Sequence, residues 1–278
     1  MIKEVQQITR GTPTSDGAGV KMIRLIGTSD VPLLDPFLML DYFGTENPDD
    51  YISGFPEHPH RGFETMTYML SGYMRHEDNQ GNSGLLKPGG VQWMTAGKGI
   101  VHSEMPEQIS GEMRGFQLWI NLPSHAKMSP AGYQDYEPED VPVEKHSDGS
   151  QIKVIVGQTD KSTIGPVINH FVHPLFLDVN LTADNNWHQT VNILDNTFIY
   201  VIDGSVYIGE QKREVSQGCL AILTSGHSIS LKTVNKASRF IVASAQPINE
   251  PIVRSGPFVM NTQAELHQAF DDFRNGHF

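Results

Sequence analysis

Short segments of alternating hydrophobic and polar residues dominate the pattern of this 278-residue chain. In residues 116–120, Phe116, Leu118 and Ile120 alternate with Gln117 and Trp119, which is the period of two expected of a half-buried strand. Residues 64–70 and 91–95 are short, rich in strand-forming side chains, and followed by glycine-containing turns. Strands this short and this regularly interrupted predict an all-β block of the sandwich or barrel type from about residue 22 to 122.

A second strand-rich block runs from about residue 152 to 247. Strands are predicted at 175–179, 197–202 and 239–243, and Asp203-Gly204 is a strong signal for a hairpin turn. The intervening residues 123–150 are rich in proline, acidic and small polar residues, so we interpret them as a connecting segment on the surface. The sequence therefore predicts two domains, residues 1–135 and 136–278.

The two blocks resemble each other weakly. Residues 68–73 (YMLSGY) match residues 200–205 (YVIDGS), and in both blocks another proline- or glycine-bearing turn follows some sixteen residues later. Two copies of one β-barrel unit would explain this similarity. The alternative is a chance likeness between two ordinary hairpins.

The last residues of the chain carry a helical pattern. Thr262 and Glu265 have the spacing of a capping box, in which each side chain hydrogen-bonds the backbone of the other. The apolar residues that follow share one helical face, and they are Leu266, Ala269, Phe270 and Phe273. We predict one short C-terminal helix that packs its apolar face on a barrel and carries no chemistry.

Composition and charge narrow the function classes. A hydrophobic fraction of 38% with 19% charged residues is ordinary for a soluble globular protein. The formal net charge of −12 disfavours direct binding to nucleic acid or to an anionic membrane surface. Cys219 is the single cysteine, which excludes an intramolecular disulfide. Neither a signal peptide nor a membrane span is indicated, so we expect a cytoplasmic protein.

Two histidine-bearing segments carry the candidate chemistry. His58 and His60 are two residues apart, and in an extended strand both imidazoles face the same side. His102 and Glu104 repeat this spacing after a glycine turn. Three imidazoles and one carboxylate suit Fe, Mn, Co, Ni, Cu or Zn as divalent ions and leave open positions for substrate or oxygen. Glu64 has the same parity as the first pair and could also reach the metal.

A structural explanation exists for each of these residues taken singly. One His-x-His pair can occur by chance on a surface strand, and His102 with Glu104 could be an ordinary ion pair. The remaining histidines, His76 among them, look isolated and are interpreted as surface or hydrogen-bonded residues. His188 occupies the repeat position nearest to the first pair, but neither a second histidine nor an acid follows it. The second block is therefore expected to lack a metal.

Four longer motifs resemble the pirin family, whose members contain two cupin domains in tandem, each a β-barrel of the jelly-roll type. These motifs are residues 58–65 (HPHRGFET), 92–106 (QWMTAGKGIVHSEMP), 117–122 (QLWINL) and 256–262 (GPFVMNT). By this resemblance the metal ligands are His58, His60, His102 and Glu104. Glu64, which matches the general cupin ligand position, becomes a residue that orients a histidine ring.

The resemblance also implies a function. Pirins bind iron, expected here as Fe²⁺, and several are dioxygenases of the flavonol quercetin that release carbon monoxide. Glu104 or Glu64 could then take the proton of the flavonol 3-hydroxyl. Phe55, Phe63, Met66 and Met94 are candidates for an apolar pocket wall. The alternative is a non-enzymatic, metal- or redox-sensitive regulator that binds a transcription factor or a metabolic enzyme. A third alternative is an oxygenase or isomerase with another substrate.

Overall fold

The computed structural model describes all 278 residues as two compact units. The first barrel comprises Thr12–Glu139 with Ile248–Phe278, and the second barrel comprises Met1–Gly11 with Asp140–Pro247. The predicted division after residue 135 lies close to this one, but the predicted assignment of both chain ends was wrong. The N-terminal strand pairs in the sheet of the second barrel, and the C-terminal helix packs in the first. Such pairings between residues far apart in sequence leave no local signature.

The chain forms 24 strands and one α-helix, together with two 3-10 turns at Pro48–Asp50 and Ser124–Ala126. The strands up to residue 140 are β1 (Val5–Thr9), β2 (Thr12–Asp16), β3 (Val20–Ile26), β4 (Phe37–Thr45), β5 (Phe55–His60), β6 (Phe63–Ser71), β7 (Met74–Asp78), β8 (Ser83–Leu86), β9 (Val91–Thr95), β10 (Ile100–Pro106), β11 (Met113–Asn121) and β12 (Gly132–Tyr136). Those that follow are β13 (Val143–Lys145), β14 (Gln151–Val156), β15 (Leu175–Leu181), β16 (Asn186–Thr190), β17 (Asn196–Asp203), β18 (Ser205–Ile208), β19 (Arg213–Ser216), β20 (Leu220–Leu223), β21 (Ser228–Lys232), β22 (Ser238–Ala245), β23 (Val253–Ser255) and β24 (Phe258–Met260), before α1 (Gln263–Arg274).

The first barrel consists of two antiparallel sheets. The larger has the order β12-β9-β6-β11-β4-β3-β2, and the smaller has the order β5-β10-β7-β8. Side chains alternate along the strands, so those of one parity fill the space between the sheets. The predicted strands at 64–70, 91–95 and 116–120 are β6, β9 and part of β11, which confirms the all-β prediction.

The second barrel repeats this arrangement. Its sheets have the orders β1-β20-β17-β22-β15-β14-β13 and β16-β21-β18-β19. The two similar sequence segments end β6 and β17, and each of these strands is third in its seven-stranded sheet. This equivalence supports an internal repeat over a chance likeness. The interior of the second barrel is filled with apolar side chains, including Trp187, Ile229, Leu231 and Phe240.

The segment interpreted as a surface connection is more ordered than predicted. It contains β12, which pairs with β9 along the edge of the larger sheet, and β13, which pairs with β14 in the second barrel. The interpretation of residues 123–150 as a simple connection was therefore wrong. Local composition obscured these strands because edge strands are polar and tolerate proline nearby.

The C-terminal helix begins as predicted. The Thr262 side chain accepts a hydrogen bond from the Glu265 backbone, and the Glu265 carboxylate accepts one from the Thr262 backbone. Leu266 and Ala269 are buried against Phe258 and Met260 of β24. No helix of the structure is long and apolar enough to cross a membrane.

Candidate metal centre

Three of the predicted ligands meet between β5 and β10 of the first barrel. These strands are antiparallel, and His102 lies opposite His58 in the register, with His60 two residues further along β5. One ring nitrogen from each of the three histidines can be chosen so that all lie within 4.8 Å of one another. The centroids of the His58 and His102 rings are 4.4 Å apart, and those of His60 and His102 are 5.1 Å apart. The structure thus brings together the imidazoles of two segments more than forty residues apart.

The hydrogen bonding of these imidazoles fits a metal ion. The His58 Nδ1 lies 2.8 Å from the backbone oxygen of Pro56 and donates to it, which leaves Nε2 as a lone-pair donor. Both ring nitrogens of His102 and the Nδ1 of His60 are buried without a hydrogen-bond partner. Buried polar atoms are rarely left unpaired, since this costs free energy. A divalent cation would satisfy one nitrogen of each ring.

The protonation of the site is suited to the same role. Burial lowers the pKa of His60 and of His102 well below the ordinary value, and the neighbouring imidazoles lower both further. Neutral imidazoles are the form that coordinates metals, since the ligand nitrogen must be free of a proton.

Glu104 lines one cavity together with His58 and His60. It is buried, two residues beyond His102 on β10, after an irregularity in the pairing with β5. Its Oε1 accepts a 3.0 Å hydrogen bond from the Thr67 hydroxyl. Burial raises the pKa of Glu104, while the proximity of His58 works in the opposite direction. The carboxylate stands outside the 4.8 Å cluster of nitrogens, so its role as fourth ligand stays a prediction.

Glu64 is buried on β6, where its Oε1 accepts a 2.8 Å hydrogen bond from the Thr95 hydroxyl. It does not line the cavity that contains His58, His60 and Glu104. Its predicted role in orienting a histidine ring stays a prediction.

His76 was missed as a residue of this neighbourhood. It lies on β7 opposite Glu104, is only 1% exposed, and packs its ring 4.6 Å from that of Tyr133. Its Nδ1 has no hydrogen-bond partner. The interpretation of His76 as a surface residue was wrong, although His76 lies outside the cluster of the three other histidines. The signal was available in the alternation of β7, where buried Met74 and His76 share one parity.

His58, His60 and Glu104 line a cavity of about 640 Å³, which is within the range of small-molecule sites. Of the four candidate wall residues, Phe55 lines this cavity, whereas the others are buried in the core. The apolar wall is completed by Met22, Met39, Phe43, Met74 and Trp119. Three imidazoles and a carboxylate at one end of such a cavity could hold a metal ion and present it to an aromatic ligand.

Comparison with known proteins supports the family resemblance. The model of the pirin family matches residues 19–120, and that of the pirin C-terminal cupin domain matches residues 176–278. A pirin-like protein of Caulobacter vibrioides is 48% identical over 277 residues, which cover 100% of this chain and 99% of that protein. A protein of Pseudomonas aeruginosa, provisionally named a quercetin 2,3-dioxygenase, is 49% identical over 278 residues, covering 99% of this chain and 97% of its own length.

The fold comparison agrees. The crystal structure of quercetin 2,3-dioxygenase from Acinetobacter baumannii superposes with a TM-score of 0.90 at 34% identity, covering 100% of this chain and 99% of that one. Both family models, relatives matched over nearly their whole length and the shared two-barrel fold lead to one conclusion. The chain belongs to the pirin family, as a two-domain cupin protein.

Proposed function

We propose that this chain binds Fe²⁺ through His58, His60, His102 and Glu104 and acts as a flavonol 2,3-dioxygenase. It would open the central ring of quercetin with dioxygen and release carbon monoxide. The observation that carries the proposal is the cluster of three imidazoles, in which His60 and His102 have buried nitrogens without a hydrogen-bond partner, next to a cavity of about 640 Å³ that His58, His60 and Glu104 line. The names of the Pseudomonas and Acinetobacter proteins support this choice of substrate.

The donor set admits several metals, and the resemblance to pirins favours iron among them. Imidazole and carboxylate ligands suit Fe²⁺, and they also accept Mn, Co, Ni, Cu or Zn. When bound, the ion would supply Lewis-acid and redox chemistry to a substrate that chelates it through adjacent hydroxyl and carbonyl oxygens. The protein contributes the remaining parts, namely ligand geometry, proton transfer and exclusion of water.

Glu104 is the candidate for proton transfer. Its carboxylate lines the cavity, and Thr67 fixes one of its oxygens, so the other can point to the metal or to a substrate hydroxyl. A carboxylate in this position would take the proton of the flavonol 3-hydroxyl as the substrate binds. The methionine and aromatic side chains of the wall would cover the flavonol rings and exclude water from the reacting end.

The test is oxygen uptake and carbon monoxide release by iron-loaded protein in the presence of quercetin. His60→Ala and Glu104→Ala should abolish both signals while leaving the circular dichroism spectrum unchanged. His188→Ala is the matched control, because His188 is exposed on β16, the strand equivalent to β5 in the second barrel, and this variant should keep full activity. If no oxygen is consumed after loading with Fe, Mn, Co, Ni or Cu, the dioxygenase proposal is wrong and the non-enzymatic regulator is favoured.

A further inference from the structure

One end of the cavity carries two guanidinium groups that the proposed chemistry does not use. Arg24 and Arg254 both line the cavity together with Asp16 and Asp41. Arginine side chains present a planar fork of donors that matches carboxylates. The two arginines differ in the acceptors that their guanidinium groups bind.

The Arg24 side chain is fully engaged. Its Nε and Nη2 donate to the two carboxylate oxygens of Asp41 at 2.9 and 2.8 Å, and Nη2 also lies 3.1 Å from an oxygen of Asp16. Asp41 is only 2% exposed, so this bidentate pair is held within the barrel. Both acids near the arginines are therefore already bound to Arg24.

Arg254, on β23, has no carboxylate partner. Its guanidinium carbon lies 4.7 Å from the centre of the Trp119 ring, and Nη2 donates only to the Met39 sulfur at 3.8 Å, which is a weak acceptor. Stacking on an aromatic face holds the fork in a fixed orientation. Burial and the neighbouring Arg24 lower the pKa of Arg254 from its ordinary value, while Asp41 and Asp16 act in the opposite direction.

The position of this fork relates it to the metal centre. The face of Trp119 contacts Arg254, and the same indole ring packs edge-on against His60 at a centroid separation of 5.1 Å. One aromatic ring therefore separates the fork from a predicted metal ligand. A rigid aromatic molecule that chelates the metal and lies along this wall would bring its far end to Arg254.

A row of polar residues joins the same two ends across the larger sheet. Thr67, Gln117, Asp41 and Arg24 lie opposite one another on β6, β11, β4 and β3. Three strand spacings of about 4.8 Å make this row about 14 Å long at the backbone. Thr67 contacts Glu104 at the metal end, so the cavity has a polar floor between a metal end and an arginine end.

We propose that Arg254, which stacks on Trp119 and lies in the same cavity as Arg24, forms a binding site for an anionic group of the substrate. The preferred substrate is then an aromatic metal chelator that carries a carboxylate at the end distant from the metal. This inference rests on the proposed metal-dependent function of the same cavity. The carboxylate would form a bidentate pair with the free Arg254 fork, and the metal centre would hold the opposite end of the ligand. Arg254 is thus a specificity-determining residue and takes no part in the bond changes.

The test compares two probes with metal-loaded protein, 3-hydroxyflavone and its 4′-carboxylate, by calorimetric titration in the absence of oxygen. We expect the carboxylated probe to bind at least tenfold more tightly at low ionic strength, with the preference shrinking as salt is raised. Arg254→Gln should reduce the ratio of the two affinities to less than twofold. Arg254→Lys, which keeps the charge without the fork, should retain only part of the preference.

Arg274→Gln is the matched control, because this arginine belongs to the same barrel but is exposed on α1, outside the cavity, and should keep the full preference. Equal affinity for the two probes, no binding of the carboxylated probe, or an unchanged preference in Arg254→Gln would each overturn the proposal. If the protein turns over quercetin but does not prefer the carboxylated probe, the proposed dioxygenase activity is supported and the proposed anion site is wrong. If Arg254→Gln removes the preference for the carboxylated probe but the protein does not turn over quercetin, the anion site is supported and the dioxygenase activity is contradicted.

Discussion

Lys127 offers a sharp test of how the first barrel is held together. Its side chain is 1% exposed, and its Nζ donates hydrogen bonds to the backbone oxygens of Gly62 and Val259 at 2.7 and 3.0 Å and to the Asn121 side chain at 2.6 Å. Gly62 follows the β5 strand of the metal site by two residues, and Val259 lies on β24. One ammonium group therefore joins three segments that are distant in sequence.

The expected cost of Lys127→Met follows from these bonds. Each hydrogen bond to a charged donor contributes roughly 1.5–3 kcal/mol, and each buried acceptor left without a partner costs about 1–3 kcal/mol. Burial of the ammonium is itself unfavourable and offsets part of this gain. We therefore expect the free energy of unfolding of the first barrel to fall by about 3 kcal/mol at pH 7.

The same side chain predicts a pH dependence. Burial lowers the pKa of Lys127 to about 8 from an ordinary value of 10.5. Between these values the folded protein has released the proton while the unfolded chain retains it, so stability rises with pH. Below pH 8 both states are protonated and the burial cost is fully present. The gain from pH 8 to 10.5 is of order 3 kcal/mol, and it should be missing from Lys127→Met.

The assay is urea unfolding followed by tryptophan fluorescence, in which Trp93 and Trp119 report on the first barrel and Trp187 on the second. The control is Lys87→Met, because Lys87 pairs with Glu137 on the surface, and its loss should leave stability nearly unchanged. A change of less than 1 kcal/mol for Lys127→Met would refute the reasoning about the three bonds. If the free energies of unfolding of wild type and Lys127→Met differ by the same amount from pH 8 to 10.5, the predicted release of the Lys127 proton in the folded state is refuted.

Three further predictions concern the site and its supports. Removing metal with a chelator should lower the melting temperature of the first barrel, as measured by calorimetry. The loss corresponds to about 3 kcal/mol if the free metal concentration had been a hundred times the dissociation constant. His102→Ala should show no difference between protein with and without the chelator. Gly62→Ala should destabilise by more than 2 kcal/mol in urea titration, because Gly62 has a φ of +88° and an added Cβ would lie 2.0 Å from the Val259 oxygen; a stability equal to wild type contradicts this. Asp272→Asn should weaken the 2.7 Å pair with the buried Arg61 guanidinium, which lowers the pKa of Asp272. The stabilisation by this pair is present above the unfolded pKa and is lost as pH falls through the lower folded pKa, so an acid-unfolding midpoint identical to wild type would argue against the pair.

Much of the candidate site could be predicted from the sequence because it depends on local geometry. The His58-x-His60 and His102-x-Glu104 spacings place side chains on one face wherever the backbone is extended, and β5 and β10 are extended. His76 could have been found by the same rule, since Met74 and His76 alternate with exposed positions. The position of His76 opposite Glu104 could not be predicted from the sequence, because the register between β7 and β10 depends on contacts between residues nearly thirty positions apart.

The sequence by itself determined several central strands of both barrels, their turns, the helix cap and the family, since all of these depend on neighbouring residues or on long matched motifs. Only the tertiary structure decided that the N-terminal strand belongs to the second barrel and the C-terminal helix to the first. It also decided that Lys127 joins three distant segments. It also decided that Arg254, far along the chain, stacks on Trp119 beside the first histidine pair. The physical reason is that burial and pairing between distant segments depend on the whole packed chain, whereas periodicity and turn chemistry act over a few residues.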